Sequence, residues 1–277
     1  MRIKQVIKIS FLLMIALLEL SNDARSQGPD TSFHLINTNV YDIVSFSVNS
    51  FGDLYVINSN NQLKKISQHG DSVGVFNEVS RYGQLSYVEV QNPWRTILFY
   101  QNFSTIVLLD KYLNVLSNLN LRSHNLFRIK NVTSSYDNNI WVFDEEDSKL
   151  KKINDQGKIL LETVDLRNIF DSVPSPITIL DHAGFVYLYD PKKGLYVFDH
   201  YGTFKNKLTF LNWKDVNVAG KFIYGFDENN FYRYNIGTLN LQEYRLPGNF
   251  KNYSSLKVVN GRLYMLKKGE LGIYDVN

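Results

Sequence analysis

The side chains able to do chemistry are few and dispersed. Five histidines occur: His34, His69, His124, His182 and His200. A metal site takes three or four convergent ligands, and no two of these histidines stand at ligand spacing. His69, His182 and His200 therefore read as polar turn residues. The acidic run Asp144-Glu145-Glu146-Asp147 could offer carboxylate oxygens to calcium. It lacks the alternating ligands and turn glycine of a calcium loop, and Lys149, Lys151 and Lys152 follow at once. It reads as a solvated hairpin tip. The chain has no cysteine, which excludes disulfides, thiolate metal sites and a cysteine nucleophile. Scattered serines give no support to a nucleophilic triad, and the glycines fall at turns rather than in a phosphate loop. No metal site and no cofactor is expected.

The elements that would position any site follow from an internal repeat. Leu63-Lys64-Lys65-Ile66-Ser67-Gln68-His69-Gly70 returns 87 residues later as Leu150-Lys151-Lys152-Ile153-Asn154-Asp155-Gln156-Gly157. The same pattern recurs at Leu195, Phe198 and Gly202. A weaker copy is Ile106, Leu109 and Leu113, with leucine in the glycine position. An apolar strand core precedes each copy: Leu54-Tyr55-Val56, Ile97-Leu98-Phe99, Ile140-Trp141-Val142, Val186-Tyr187-Leu188, Ile223-Tyr224-Gly225 and Leu263-Tyr264-Met265. Their centres lie 43, 43, 46, 37 and 40 residues apart. The next strand begins seven to nine residues after each centre. Two markers keeping step at one period are the signature of a repeat architecture.

Each unit reads as four short strands. In the first they are 43–48, 53–57, 62–66 and 71–76, separated by Asn49-Ser50-Phe51-Gly52, Asn58-Ser59-Asn60-Asn61 and Gln68-His69-Gly70. Glycine and asparagine supply the positive φ that tight hairpins need. Four strands per period of about 40–45 residues select a β-propeller over a sandwich or barrel. The last unit has three strands, 256–259, 262–266 and 271–276, and an unassigned strand lies at 33–38. Pairing that strand into the last sheet would remove a free edge. The expected fold is all-β: a six-bladed β-propeller, four antiparallel strands per blade, with residues 32–39 closing the last blade.

Residues 1–26 read as a cleaved signal peptide. Arg2, Lys4 and Lys8 precede an apolar run, Ile9 to Leu20, and Ala24-Arg25-Ser26 suits cleavage after Ser26. The run is twelve residues long, short of the roughly 20 that span a bilayer. No membrane span is expected once it is removed. Residues 27–277 then form one domain, long enough to be held by its core without disulfides. Four of the 30 Lys and Arg and two of the 27 acids lie in the signal, leaving a net charge of +1. That excludes the strong basic footprint of a nucleic-acid binder and argues against an electrostatic membrane binder.

The blade length, the four-strand pattern and turns such as Phe198-Asp199-His200-Tyr201-Gly202 resemble six-bladed propellers of the NHL and TolB-like group. The resemblance covers nearly all of residues 32–277. The Asn- and Tyr-rich composition is similar to periplasmic or surface proteins of Bacteroidota. Enzymes of the gluconolactonase and paraoxonase type share this fold and hold a central calcium with carboxylates and amides of the inner strands. That likeness implies Asp42, Glu89, Asn131, Asp181, Asp215 and Asn217 as positions for such a site, and no motif singles out a set among them.

Two functions are open. One is a non-enzymatic binding or scaffold propeller, periplasmic or secreted and monomeric, recognising a protein or glycan. Its face would be built from interblade loops carrying Arg81, Tyr82, His124, Asn125, Trp213, Lys214 and Tyr253, because arginine and aromatic side chains dominate binding hot spots. Trp213 and Tyr253 could instead pack between blades. The other is a calcium-dependent lactonase- or lyase-like enzyme with its site at the channel mouth.

Overall fold

The computed structural model describes residues 33–40 and 42–276. The expected signal peptide and its cleavage point lie outside the described residues. Twenty-four strands form six four-stranded sheets. Blade one holds β2 (Ile43–Val48), β3 (Leu54–Asn58), β4 (Leu63–Ile66) and β5 (Ser72–Phe76). Blade two holds β6 (Tyr87–Glu89), β7 (Arg95–Tyr100), β8 (Thr105–Asp110) and β9 (Val115–Asn120). Blade three holds β10 (Ile129–Ser134), β11 (Ile140–Asp144), β12 (Lys149–Ile153) and β13 (Ile159–Glu162). Blade four holds β14 (Thr178–His182), β15 (Phe185–Asp190), β16 (Gly194–Asp199) and β17 (Phe204–Leu208). Blade five holds β18 (Lys214–Ala219), β19 (Phe222–Phe226), β20 (Asn230–Asn235) and β21 (Asn240–Arg245). Blade six holds β22 (Ser255–Val259), β23 (Arg262–Lys267) and β24 (Glu270–Val276), and it is completed by β1 (Phe33–Val40). There Phe33 faces Val276 and Leu35 faces Tyr274 in antiparallel register. The ring thus closes with the first strand on the last sheet.

Alternation explains why the middle strands are apolar on both sides. In β7, Ile97 and Phe99 pack toward blade three while Leu98 and Tyr100 pack toward blade one. The buried apolar residues form six clusters, one at each interface between neighbouring blades, from blades one and two round to blades six and one. Each sheet face is therefore covered by the next blade, which is what a strand buried on both faces requires. The outer strands have one covered neighbour fewer, and β9, β13 and β17 are mostly exposed.

Two local features qualify the sequence reading, the first by bearing it out and the second by correcting it in part. Leu113, in the turn that elsewhere uses Gly70, Gly157 and Gly202, adopts the same left-handed backbone at φ +70. Its side chain is buried in the interface of blades one and two, which compensates an unfavourable conformation for leucine. The acidic run is a solvated tip only in part: Glu146 is exposed, while Asp144 is buried and bonds Lys151 at 2.9 Å, Asp147 pairs with the same Lys151, and Glu145 pairs with Lys130 at 2.7 Å. Lys151 of the same hairpin and Lys130 of the neighbouring strand β10 thus pair with three of its four carboxylates.

Candidate functional site

In a four-stranded meander, successive turns alternate between the two ends of the sheet. The first and third turns of every blade open at one end of the ring, here the turn face. The second turns and the interblade linkers open at the other, the linker face. The inner strands β2, β6, β10, β14, β18 and β22 line a central cavity of about 410 Å³.

At every blade boundary one polar side chain of the inner strands bonds to the neighbouring blade. Ser47 Oγ donates to the Val88 carbonyl at 2.8 Å, and Ser134 Oγ donates to Glu89 at 2.5 Å. Asn131 Nδ2 donates to the Ile177 carbonyl at 2.7 Å, and His182 Nε2 to the Gly220 carbonyl at 2.6 Å. Asn217 Nδ2 donates to the Val258 carbonyl at 2.7 Å, and Lys257 Nζ to the Phe46 carbonyl at 2.9 Å. Each bond crosses one blade boundary, and together they cross all six. A seventh, from Gln91 Nε2 to the Asp181 carbonyl at 2.5 Å, joins blades two and four.

The positions that a central calcium would use are in this set. Glu89 accepts from Ser134 and from the Gln91 amide at 2.7 Å. Asp215 accepts from Ser255 Oγ and the Leu256 amide, both at 2.9 Å. Burial pushes the Glu89 and Asp215 carboxyls up and the Lys257 ammonium down. In each case desolvation in the narrow channel outweighs the partners. Asp42 lies away from the channel wall, exposed, with Ser59 as its hydrogen-bond donor. Among the described residues, no group of three or more His, Asp or Glu is placed to hold a metal ion.

The turn face is different. Phe51, Trp94, Tyr112, Tyr136 and Tyr201 all sit in first or third turns and are between 51% and 82% exposed. Phe51 meets Trp94 edge-on at 6.3 Å, and Lys111 Nζ lies 5.0 Å from the Trp94 ring centroid. Tyr136 stacks on His200 at 4.2 Å with 5° between the ring planes. His200 Nε2 is 2.9 Å from Asp181 Oδ1, and the buried Trp141 indole donates to Asp181 Oδ2 at 2.8 Å. Between these two aromatic groups lies a pocket of about 320 Å³ lined by Gln91, Asn92, Asn138, His182 and His200 among others. Asn92 Nδ2 donates to Asn138 Oδ1 at 2.9 Å across its floor.

The linker face carries the residues singled out from sequence, and the structure places them in four separate interblade linkers. Arg81 is exposed and covers the ring of Tyr82, which is itself buried and tilted against Tyr100 at 5.2 Å. His124 is half-buried against Gly157, and Asn125 is exposed at φ +59, ending a short helical turn. Trp213 is buried, sandwiched between Phe210 at 4.2 Å and Tyr232 at 4.8 Å. Gly225 makes that slot: a β-carbon there would stand 2.2 Å from the indole. Lys214 is exposed, 3.8 Å from Glu228. Tyr253 is half-buried and donates to the Asp227 carbonyl at 2.9 Å. Tyr82 and Trp213 thus act in packing, while Arg81, Asn125 and Lys214 remain open to solvent.

Sequence reasoning missed the exposed turn aromatics, although their placement two to five residues after the first or third strand of a blade was a usable signal. It also passed over Gly70-Asp71-Ser72-Val73-Gly74, which has the Gly-x-Ser-x-Gly spacing of a nucleophile elbow. An elbow sits between a strand and a helix. Here Ser72 is exposed at the start of the outer strand β5, and no hydrogen bond joins it to a histidine among the described residues.

No protein-family model and no curated protein matches the sequence. Solved structures do match in shape. Virginiamycin B lyase from Staphylococcus aureus superposes with a TM-score of 0.61 at 12% identity, over 90% of this chain and all of that one. PorZ from Porphyromonas gingivalis gives 0.56 at 10% identity, over 85% of this chain and 32% of that one. The Swd1 propeller domain of Myceliophteria thermophila gives 0.60 at 8% identity, over 89% of this chain and all of that one. The chain is a six-bladed β-propeller. At these identities the likeness speaks for the fold alone, and the three proteins named are an enzyme, a bacterial surface component and a propeller domain.

Proposed function

We propose that this propeller is an exported, non-enzymatic binding protein that holds a protein or glycan partner on its turn face. One observation carries the reading: five exposed aromatic rings lie in turns at one end of the ring, where Tyr136 lines a pocket. Aromatic side chains give large contact area at small entropic cost and dominate recognition surfaces. Turns held by a rigid ring are where binding residues are commonly found. The channel supports the non-enzymatic part, because its carboxylates and amides are already bonded between blades. The linker face stays a smaller candidate, with Arg81, Asn125, Phe127, Leu211 and Lys214 exposed in its interblade segments and Lys214 near Glu228.

Export rests on the leader pattern of residues 1–26, and a periplasmic or surface place in a Bacteroidota-type cell fits the composition and the NHL- and TolB-like repeat. The described residues hold no helix long and apolar enough to cross a membrane. The near-neutral charge supports a partner other than nucleic acid. The expected state is a monomer.

Two surface variants test the reading. Phe51→Ser/Trp94→Ser/Tyr201→Ser should lose retention of the partner present in a cell-envelope fraction. Arg81→Ser/Phe127→Ser/Lys214→Ser should keep it. The opposite pattern would transfer recognition to the linker face.

A further inference from the structure

We propose that the pocket between blades two, three and four binds a neutral oligosaccharide, with Trp94 and Tyr136 as flanking rings. This rests on the reading that the turn face is the recognition surface, and it names the class of ligand.

The pocket mixes apolar and polar surface. Gln91 Nε2, both ends of the Asn92 amide, Asn138 Oδ1 and His182 Nε2 are bonded within the protein, which leaves Gln91 Oε1, Asn138 Nδ2 and His182 Nδ1 to a ligand. An acceptor and a donor side by side match hydroxyl groups, which do both. The charged groups Arg95 and Lys152 beside it are paired and Asp181 is hydrogen-bonded, while Lys111 over the Trp94 ring has no carboxylate partner among the described residues. Arg95 bonds Asp155 at 2.6 Å, Lys152 bonds Asp137 at 2.8 Å, and Asp181 holds His200 at 2.9 Å. The Lys152 bond and its neighbours hold the Asp137 carboxyl at about 2 despite partial burial, which alone would raise it. A charged ligand lying among Arg95, Lys152 and Asp181 would have to break one of these bonds, which is costly.

The rings on either side are placed to extend the site. Trp94 is tied to the pocket through its backbone amide, which donates to Asn92 Oδ1 at 2.9 Å. Phe51 meets the indole edge-on, and Lys111 lies over it. On the far side Tyr136 is backed by His200, whose orientation is set by Asp181. Tyr201 stands beyond, the most exposed of the large apolar side chains described. Aromatic faces carry negative charge density and attract the polarised C–H groups on one side of a sugar ring. Rings flanking a small pocket suit several linked sugars better than one. The volume of about 320 Å³ is at the lower end for ligand sites, about 300–1,000 Å³, as expected if only part of the ligand enters it.

Tryptophan fluorescence provides the test. Of the three tryptophans, Trp94 is exposed while Trp141 and Trp213 are buried. The full chain is titrated with soluble cellohexaose, mannohexaose and N-acetylchitohexaose, and with a heparin hexasaccharide as the charged control. At least one neutral hexasaccharide should shift the emission saturably and give matching heat in calorimetry. Trp94→Phe should abolish the optical signal. Asn138→Ala should weaken the calorimetric affinity tenfold or more, and Arg81→Ala should leave it unchanged. Absence of saturable heat with all three neutral sugars, or binding of the heparin fragment alone, overturns the proposal. If the sugars fail while Phe51→Ser/Trp94→Ser/Tyr201→Ser still loses the envelope partner, the saccharide proposal falls and the turn-face reading stands.

Discussion

The channel wall presents charged, hydroxyl and amide side chains and the turn face exposed aromatic rings, and the two come to opposite uses. Along the wall, Ser47, Glu89, Asn131, Asn217 and Lys257 each bond across a blade boundary and help to hold neighbouring blades together. On the turn face, Phe51, Trp94, Tyr136 and Tyr201 project into solvent beside an amide-lined pocket. Buried polar groups must find partners, and in a ring the nearest partner is the next blade. A polar residue in the channel of a propeller is therefore a poor indicator of chemistry until its bonds are known.

Four substitutions bear on this contrast. Asp181 belongs to both regions, so Asp181→Ala should have the largest effect. It leaves the buried Trp141 indole without an acceptor and frees His200. The cost should be about 3 kcal/mol, at the upper end for an orphaned buried group, seen in chemical denaturation, together with loss of binding. Asn217→Ala removes the two wall bonds to Val258 and should cost about 1 kcal/mol while binding is unchanged. A variant that bound less well would blur the division.

Glu89→Gln tests the wall through pH. Burial pushes the Glu89 carboxyl up, so the fold favours its neutral form. The stability this supplies is complete below the unfolded value of about 4.3 and is lost as pH rises through the raised folded value. Glutamine is neutral throughout and keeps the shape. The variant should melt higher than the parent at pH 8 and equally below about pH 4 in thermal scans. Equal melting at both would mean that Glu89 carries no burial penalty. Tyr201→Ser should have the smallest effect on stability, within about 0.5 kcal/mol by denaturation, while weakening binding.

Much of this fold could be read from the sequence, because a propeller repeats one local pattern. The six strand cores from Leu54-Tyr55-Val56 to Leu263-Tyr264-Met265 all lie in the second strand of a blade. The unassigned strand near Phe33 closes the ring because a three-stranded final blade leaves one place for it. The site was less legible, since it depends on contacts between distant residues. Trp213 in a linker has the type of a recognition residue. Its burial depends on Gly225 in the adjacent strand, whose missing side chain makes the slot. That glycine, in the middle of an otherwise bulky core, was the available signal. The Glu89–Ser134 and Asn217–Val258 bonds span 45 and 41 residues, and no local pattern announces which side chains will meet across a blade boundary.

The most direct measurement of the division between wall, turn face and linker face is site-specific photo-crosslinking in the source cell's envelope. A benzophenone amino acid would replace Trp94 or Tyr201 on one end, and Phe127 or Leu211 on the other. The account predicts crosslinked partner from positions 94 and 201 and none from 127 and 211. Crosslinks confined to positions 127 and 211 would contradict it.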